Sequence, residues 1–487
     1  MTSHRAPSGG PLVVLAALAL LPALALFLLW RWTAGMADSD DPPPDTSPAV
    51  APPAPTPALS TPLLSFRRAP NVLSRDLSAD EFATAVGEFA GTLNETSCVA
   101  VSVDGMPIGG VNGDAPLIPA SNQKLLVAAV ALDVLGADFR YTTDVLAGPV
   151  TAGAVAGDLY LRGGGDPLLT SSTYPVQNDP NPVTDPTSLD ALADAVVAAG
   201  ITRIEGAVRG DGARYDDELF APSWSEDVRV VEAGPYDALT VNDARVTGDE
   251  FKATDPAEGA ARELTALLRD RGVTVTGEAA VGQAPDASTV VASVESAPLT
   301  AVVGEMLATS DNNTAEMVVK ELGVAAGGAG TREAGLEVMR TTLEGWGLAG
   351  LALADGSGLS NDNRVSCNGL AEVLSRFDPD GPFGAGLAVA GQTGTLTDVF
   401  ADSPVAGRLR AKTGTLGNPP YDQNPPAVKA LSGYLPVDGG AAVEFALILN
   451  GSGTLADQSV YRPVWDALGA TLASYPTGPT PAELQPR

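Results

Sequence analysis

The first seventy residues cannot contribute to a globular core, so any fold must be built from residue 71 onward. Pro11 to Trp30 is an unbroken run of twenty uncharged residues rich in Leu, Ala and Val. At 1.5 Å per residue a helix of that length spans roughly 30 Å, the thickness of a bilayer's hydrocarbon. Arg5 precedes the run, Arg31 succeeds it, and the acidic stretch Asp38–Asp41 comes next, which favours an N-terminus inside. The length fits an uncleaved membrane anchor better than a signal peptide; Gly35-Met36-Ala37 is the cleavage site the alternative would use. Residues 42–62 then hold nine prolines among Ala, Thr and Ser. Such a stretch is extended and buries nothing. The reading is 1–37 as cytoplasmic tip and anchor or signal, 38–70 as linker, and a globular body from 71 onward on the extracytoplasmic face of a membrane.

Composition removes several chemistries from that body. The single histidine is His4, so no Ser-His-Asp or Cys-His catalyst can be assembled, nor a His-rich zinc site. Two cysteines make neither a four-cysteine metal site nor a disulfide framework. A formal net charge of −31 disfavours binding to a nucleic-acid backbone. Hydroxyls, amines, amides and carboxylates must do the work.

The body reads as α/β (α+β). Ser97–Asp104, Val428–Leu435 and Val443–Leu449 have strand character, the last two joined by a Val-Asp-Gly-Gly turn, and 455–474 is helical. Strands at both ends of the body suggest a sheet built from its N- and C-terminal parts, 71–144 and 296–475, with 476–487 as a tail. Between them Asp190–Ala199 and Glu258–Arg271 are helical, each stopped by a glycine and then continued by strand residues. These two faintly similar units are α/β building blocks, and 145–295 reads as an inserted subdomain.

Three motifs carry the chemistry. Ser121-Asn122-Gln123-Lys124 opens an apolar helix. Positions i and i+3 share a helix face, so the Lys124 amine can sit beside the Ser121 hydroxyl. Serine needs a base to become a nucleophile, and without histidine a lysine whose basicity is lowered by burial must serve. In Ser310-Asp311-Asn312 a hydroxyl could relay a proton and an amide could hold a substrate carbonyl. Lys412-Thr413-Gly414-Thr415, ahead of the hairpin, offers a cation and hydroxyls to a carboxylate, with Gly414 allowing close backbone approach. Taken singly each motif is weak; their order and setting give them force.

This constellation resembles the penicillin-recognising serine enzymes. The 189 residues from Ser121 to Ser310, against 102 from Ser310 to Lys412, narrow it to the D-alanyl-D-alanine carboxypeptidase/endopeptidases, the low-molecular-weight class C penicillin-binding proteins of peptidase family S13. Leu159–Pro167, Ala238–Asn242, Asp355–Ser360 and Ala430–Tyr434 also fit, over about residues 75–473. The resemblance implies a transpeptidase-like domain with an antiparallel sheet flanked by helices. It also implies a serine-type carboxypeptidase acting on peptidoglycan stem peptides, inhibited by β-lactams, with no metal or cofactor. In that pattern Ser121 attacks, Lys124 is the base, Ser310 and Lys412 relay the proton, and the Ser121 and Thr415 N–H groups form the oxyanion hole. Asn312 positions the peptide, while Lys412, Thr413 and Thr415 engage its carboxylate beside Gly414.

Two departures stand out. The subdomain that usually comes after the Leu-Thr-Val-Asn region is missing or vestigial, and Gly417–Pro426 interrupts the strand after the third motif. Cys98 and Cys367 are either a disulfide of an exported chain or two separate buried thiols. Gln392–Thr395, which copies the third motif without its lysine, reads as a structural turn, as do Asp355 and Ser357. Arg162 and Asp166 read as structural. Glu305 and Glu316 could imitate a glycosidase carboxylate pair. A β-lactamase or esterase of the same fold and a non-catalytic wall-binding protein are the alternatives. Endopeptidase activity and oligomeric state stay open.

Overall fold

The computed structural model describes residues 26–31, 69–174, 183–418, 424–437, 441–476, 478 and 480–485. The chain divides into Met1–Ser65 and Phe66–Arg487. In the first unit residues 26–31 are helical and exposed. Among the described residues no helix is long and apolar enough to cross a membrane. Residues 11–25 of the expected anchor, most of the proline-rich linker and 419–423 of the 417–426 interruption lie outside them.

The second unit opens with a helix that the sequence pattern does not announce, α1 (Ala69–Ala90). The elements that build the two larger sheets and their helices, short strands such as Arg203–Ile204 and Thr274–Val275 aside, are β1 (Cys98–Val103), β2 (Met106–Val111), α2 (Gln123–Val134), β3 (Thr142–Ala147), β4 (Leu159–Arg162), α3 (Leu189–Ala198), β5 (Val208–Asp211), α4 (Pro256–Asp270), β6 (Ala280–Val281) and β7 (Thr289–Glu295). Then come α5 (Leu299–Thr309), α6 (Asn312–Leu322), α7 (Arg332–Gly345), α8 (Cys367–Ser375), β8 (Ala388–Val389), β9 (Arg410–Leu416), β10 (Ala427–Val437), β11 (Ala441–Gly451) and α9 (Gln458–Ala473).

The main sheet runs β8-β9-β10-β11-β1-β2, antiparallel throughout, so the N-terminal strands complete a sheet begun by the C-terminal hairpin. Alternation along β10 sorts its side chains. Val428, Ala430 and Tyr434 face a core built from α2, α5, α6, α7 and α8, while Leu431 and Leu435 face α1 and α9. Helix α2 is buried from Gln123 to Ala131 without interruption. A helix apolar on every side has no surface face and sits in the middle of a core.

The excursion between β3 and β7 forms a mixed sheet, β6-β5-β4-β3-β7, with its own apolar cluster against α3 and α4. The two faintly similar units lie side by side here. Each helix stops at a glycine, Gly200 or Gly272, both with φ +84, as left-handed termination requires. The strands after those glycines pair in parallel, Arg203 with Thr274 and Arg209 with Ala280, at a constant offset of 71 residues. A Cys98–Cys367 disulfide joins the start of β1 to the start of α8, with Cα atoms 6.0 Å apart.

Candidate active site

The cleft lies between the main sheet and the helical core, with a volume of about 640 Å³. Its lining includes Ser121, Ser310, Asn312, Thr413 and Thr415, so all three motifs reach one space. Local sequence explains how each arrives. Ala120–Asn122 is a tight turn ahead of α2, entered by Ala120 at φ +49. That turn is anchored on both sides: Asn122 Nδ2 donates to Ser432 Oγ (2.7 Å), and Gln123 Nε2 to the Asp355 carbonyl (3.3 Å). Strand β9 passes so close that a Cβ on Gly414 would stand 2.9 Å from the Pro119 carbonyl oxygen and 3.2 Å from Ala120 Cβ. Glycine is therefore what lets the strand edge approach the turn that carries Ser121. Ser310 ends α5 in a left-handed conformation, φ +68, and Asp311 caps α6 by accepting from Thr314 N (2.6 Å), which swings Asn312 inward.

Lys124 is fully buried, and its Nζ lies 3.1 Å from Ser121 Oγ, 2.7 Å from Asn312 Oδ1 and 2.6 Å from the Ser357 carbonyl oxygen. An amide oxygen and a carbonyl oxygen can only accept, so two N–H bonds are committed to them. In the neutral amine the remaining direction, toward Ser121, is the lone pair. Burial lowers the lysine to about 8, opposed by the negative charge of Asp311, Asp355, Glu316 and Glu232. Roughly a tenth is then neutral at pH 7.

Lys412 is also fully buried and donates to the Thr413 carbonyl (2.7 Å). Burial and then the charge of Lys124 drive it well below the usual lysine range. No hydrogen bond joins Ser310 to Lys412 among the described residues, so the expected relay is not assembled at rest. Thr413 Oγ1 donates to Thr395 Oγ1 (2.9 Å), and Lys429 Nζ donates to Thr415 Oγ1 (3.0 Å) while lying 4.3 Å over the Tyr461 ring.

Four contributors were not singled out as functional from sequence. Thr395 belongs to the lysine-free copy read as a structural turn, yet it lines the cleft. Ser357, read as a turn residue, serves Lys124 through its backbone carbonyl, which no motif could reveal. Asn312 Nδ2 donates to the carbonyl of cleft-lining Glu232 (2.7 Å), which therefore occupies the amide expected to hold substrate. Lys429 faces Thr415 across the β9–β10 ladder, a pairing visible only once the register is known. Glu305 accepts from Thr184 and Glu316 from the Gly356–Ser357 backbone, so they are committed to different partners rather than set as a glycosidase pair. Asp355 accepts from Gly358, Ser360, Asn363 and Trp224, as a turn residue should. Arg162 pairs with Asp144, and Asp166 accepts from Leu168 N.

Residues 94–253 and 242–472 match the model of the D-Ala-D-Ala carboxypeptidase 3 (S13) family. The chain is 31% identical to a D-alanyl-D-alanine carboxypeptidase of Actinomadura sp. strain R39, over 75% of this chain and 78% of that one. It is 30% identical to carboxypeptidase DacB of Mycolicibacterium smegmatis, over 96% of each. Its fold is similar to that of penicillin binding protein 4 (dacB) from Haemophilus influenzae, with a TM-score of 0.65 at 20% identity, covering 80% of this chain and 98% of the other.

Proposed function

Because the chain belongs to the D-Ala-D-Ala carboxypeptidase 3 (S13) family, we propose that the Ser121–Lys124 pair is the catalytic centre of a serine-type D-Ala-D-Ala carboxypeptidase acting on peptidoglycan. The supporting observation is the buried Lys124 amine, 3.1 Å from a cleft-lining serine hydroxyl and held by two other acceptors. Lys124 takes the Ser121 proton as Oγ attacks the carbonyl between the two D-alanines. The developing oxyanion faces the N–H groups of Ser121 and Thr415. As the C–N bond breaks, the proton that Lys124 took up passes by way of Ser310 and Lys412 to the departing D-alanine amine. The terminal carboxylate is held by Thr413 and Thr415 with Lys412, and Gly414 keeps that edge close. Water then releases the acyl group. For Asn312 to hold the peptide carbonyl, the Glu232 carbonyl must leave its amide.

A β-lactam carbonyl would acylate the same hydroxyl. The action is extracytoplasmic, and we assign the uncharged run 11–30 as the membrane tether on its sequence character alone. The test is to treat the full chain with a pentapeptide-bearing muropeptide and with a fluorescent penicillin. Loss of one D-alanine, with the label on the Ser121 peptide and none in Ser121→Ala, is expected; label retained by Ser121→Ala would refute the assignment. Cleavage of cross-linked muropeptides would add endopeptidase activity.

A further inference from the structure

Beneath the proposed base lies a carboxyl group that belongs to none of the three motifs. Glu316 comes four residues after Asn312 on α6, so both side chains leave the same helix face. It is 1% exposed. Its Oε1 accepts the N–H of Ser357 at 2.7 Å and of Gly356 at 3.1 Å, and its Oε2 lies 3.2 Å from Gly356 N. The same Ser357 turns its carbonyl to Lys124 Nζ. One residue thus links the carboxylate to the amine. The two fixed acceptors of Lys124 both depend on α6, Asn312 directly and Ser357 by way of Glu316.

The turn carrying Ser357 has no slack. Asp355 gathers Gly358 N (2.9 Å), Ser360 N (2.6 Å) and Asn363 Nδ2 (2.7 Å) around its carboxylate. Gly358, at φ +85, packs where a Cβ would stand 2.0 Å from the Ala120 carbonyl oxygen. The turn therefore rests on the nucleophile's own turn, and Glu316 decides where its Ser357 carbonyl points.

We propose that Glu316 is a positioning residue for the base: it fixes the 355–358 turn so that Ser357 takes one Lys124 N–H and the lone pair is left to Ser121, while its charge sets how readily that amine gives up a proton. This rests on the reading of Lys124 as base. The charges facing Lys124 are Glu316 on α6, Asp311 at the N-cap of that helix, Asp355 from the turn and Glu232 from the segment between β5 and α4, and Lys124 in turn acts on Lys412 of β9. The titratable groups facing Glu316 are the Asp355 carboxyl, the Lys124 amine and the Tyr236 phenol, which burial keeps neutral. Burial, with Asp355 adding to it, pushes Glu316 up to about 7 against the pull of its N–H donors.

The experiment measures the acylation rate of the full chain by a fluorescent penicillin between pH 5.5 and 9.5, in wild type, Glu316→Gln and Glu316→Ala. Glutamine keeps an oxygen for Ser357 but loses the charge. Its plateau rate is expected within about threefold of wild type. Its midpoint should fall by about 0.5–1 pH unit, because an ammonium with one negative neighbour fewer deprotonates more easily. Alanine also removes the acceptor, and its plateau should drop roughly 10–100-fold. A midpoint in Glu316→Gln that coincides with wild type overturns the proposal, as does a wild-type plateau in Glu316→Ala. Circular dichroism of the glutamine variant guards against a folding failure. Wild type that is not acylated at all, or Ser121→Ala that still is, would instead refute the reading of Ser121 and Lys124 on which the proposal stands.

Discussion

Two lysines are buried completely beside one cleft, and the chain surrounds them in opposite ways. Lys124, in the first turn of α2, has three oxygen acceptors and the charge of four carboxylates around it. Lys412, on β9, has one peptide carbonyl, and the charge that shifts it is another lysine. Burial lowers both, but carboxylates hold Lys124 near 8, where it can accept a proton and return it. No carboxylate counters that shift at Lys412. An arriving carboxylate would favour its charged form. The difference teaches that burial lowers a lysine's proton affinity, whereas the surrounding anions limit how far it falls.

The sharpest way to break this comparison is to remove each amine in turn. Lys124→Met should cut the rate of acylation by a fluorescent penicillin about 10³–10⁴-fold, the scale of a lost general base. Lys412→Met should cost about 10²-fold, with most of the loss confined to substrates that carry a free carboxylate. A larger loss at Lys412 than at Lys124 would invert the assignment. The wild-type rate should rise with pH through a midpoint near 8, since the neutral amine holds the active lone pair and its fraction grows as pH climbs through that value. A flat profile from pH 6 to 9 would show that Lys124 is not the titrating base.

The two regions also differ in how far they could be read from sequence. Ser121 and Lys124 are three residues apart on a helix, so their meeting is local geometry, and the apolar run behind them foretells burial. The strands Val428–Leu435 and Val443–Leu449 were legible as β-rich runs joined by a Val-Asp-Gly-Gly turn, and the ladder extends them to Ala427–Val437 and Ala441–Gly451. The constant offset of 71 residues between the inserted units was hidden, because parallel pairing leaves no turn to mark it. Ser357 and Glu232 act through backbone carbonyls, which every residue has. Helix α1 comes directly after the proline-rich stretch, and with Pro70 inside it, its start looked like more linker.

A change that touches both regions alike separates stability from tuning. The disulfide closes a span of 269 residues and ties β1 to α8, and none of the hydrogen-bond partners of Lys124 or Lys412 lies on either element. Replacing Cys98 and Cys367 by alanine should lower unfolding stability by about 3–5 kcal/mol, measured by denaturant titration. The pH midpoint of acylation in the surviving folded protein should stay where it was. A displaced midpoint would mean that the covalent brace, rather than local anions, sets the environment of Lys124.

The smallest expected effect lies on the Lys412 side. Thr413 and Thr395 share one hydrogen bond at the cleft wall, and a hydroxyl has a single hydrogen to give. When a carboxylate displaces that bond, each hydroxyl can turn its hydrogen to the anion, so Thr395 supplies a donor beyond the Lys-Thr-Gly strand. Thr395→Val keeps the shape and removes the donor. It should raise KM for a D-Ala-D-Ala peptide about 3–10-fold, the scale of one hydrogen bond to a charged group. A substrate lacking the terminal carboxylate should show no change, and the pH midpoint should not move, because Lys124 is untouched. Equal effects on both substrates would return Gln392–Thr395 to a purely structural turn and leave the carboxylate to β9 alone.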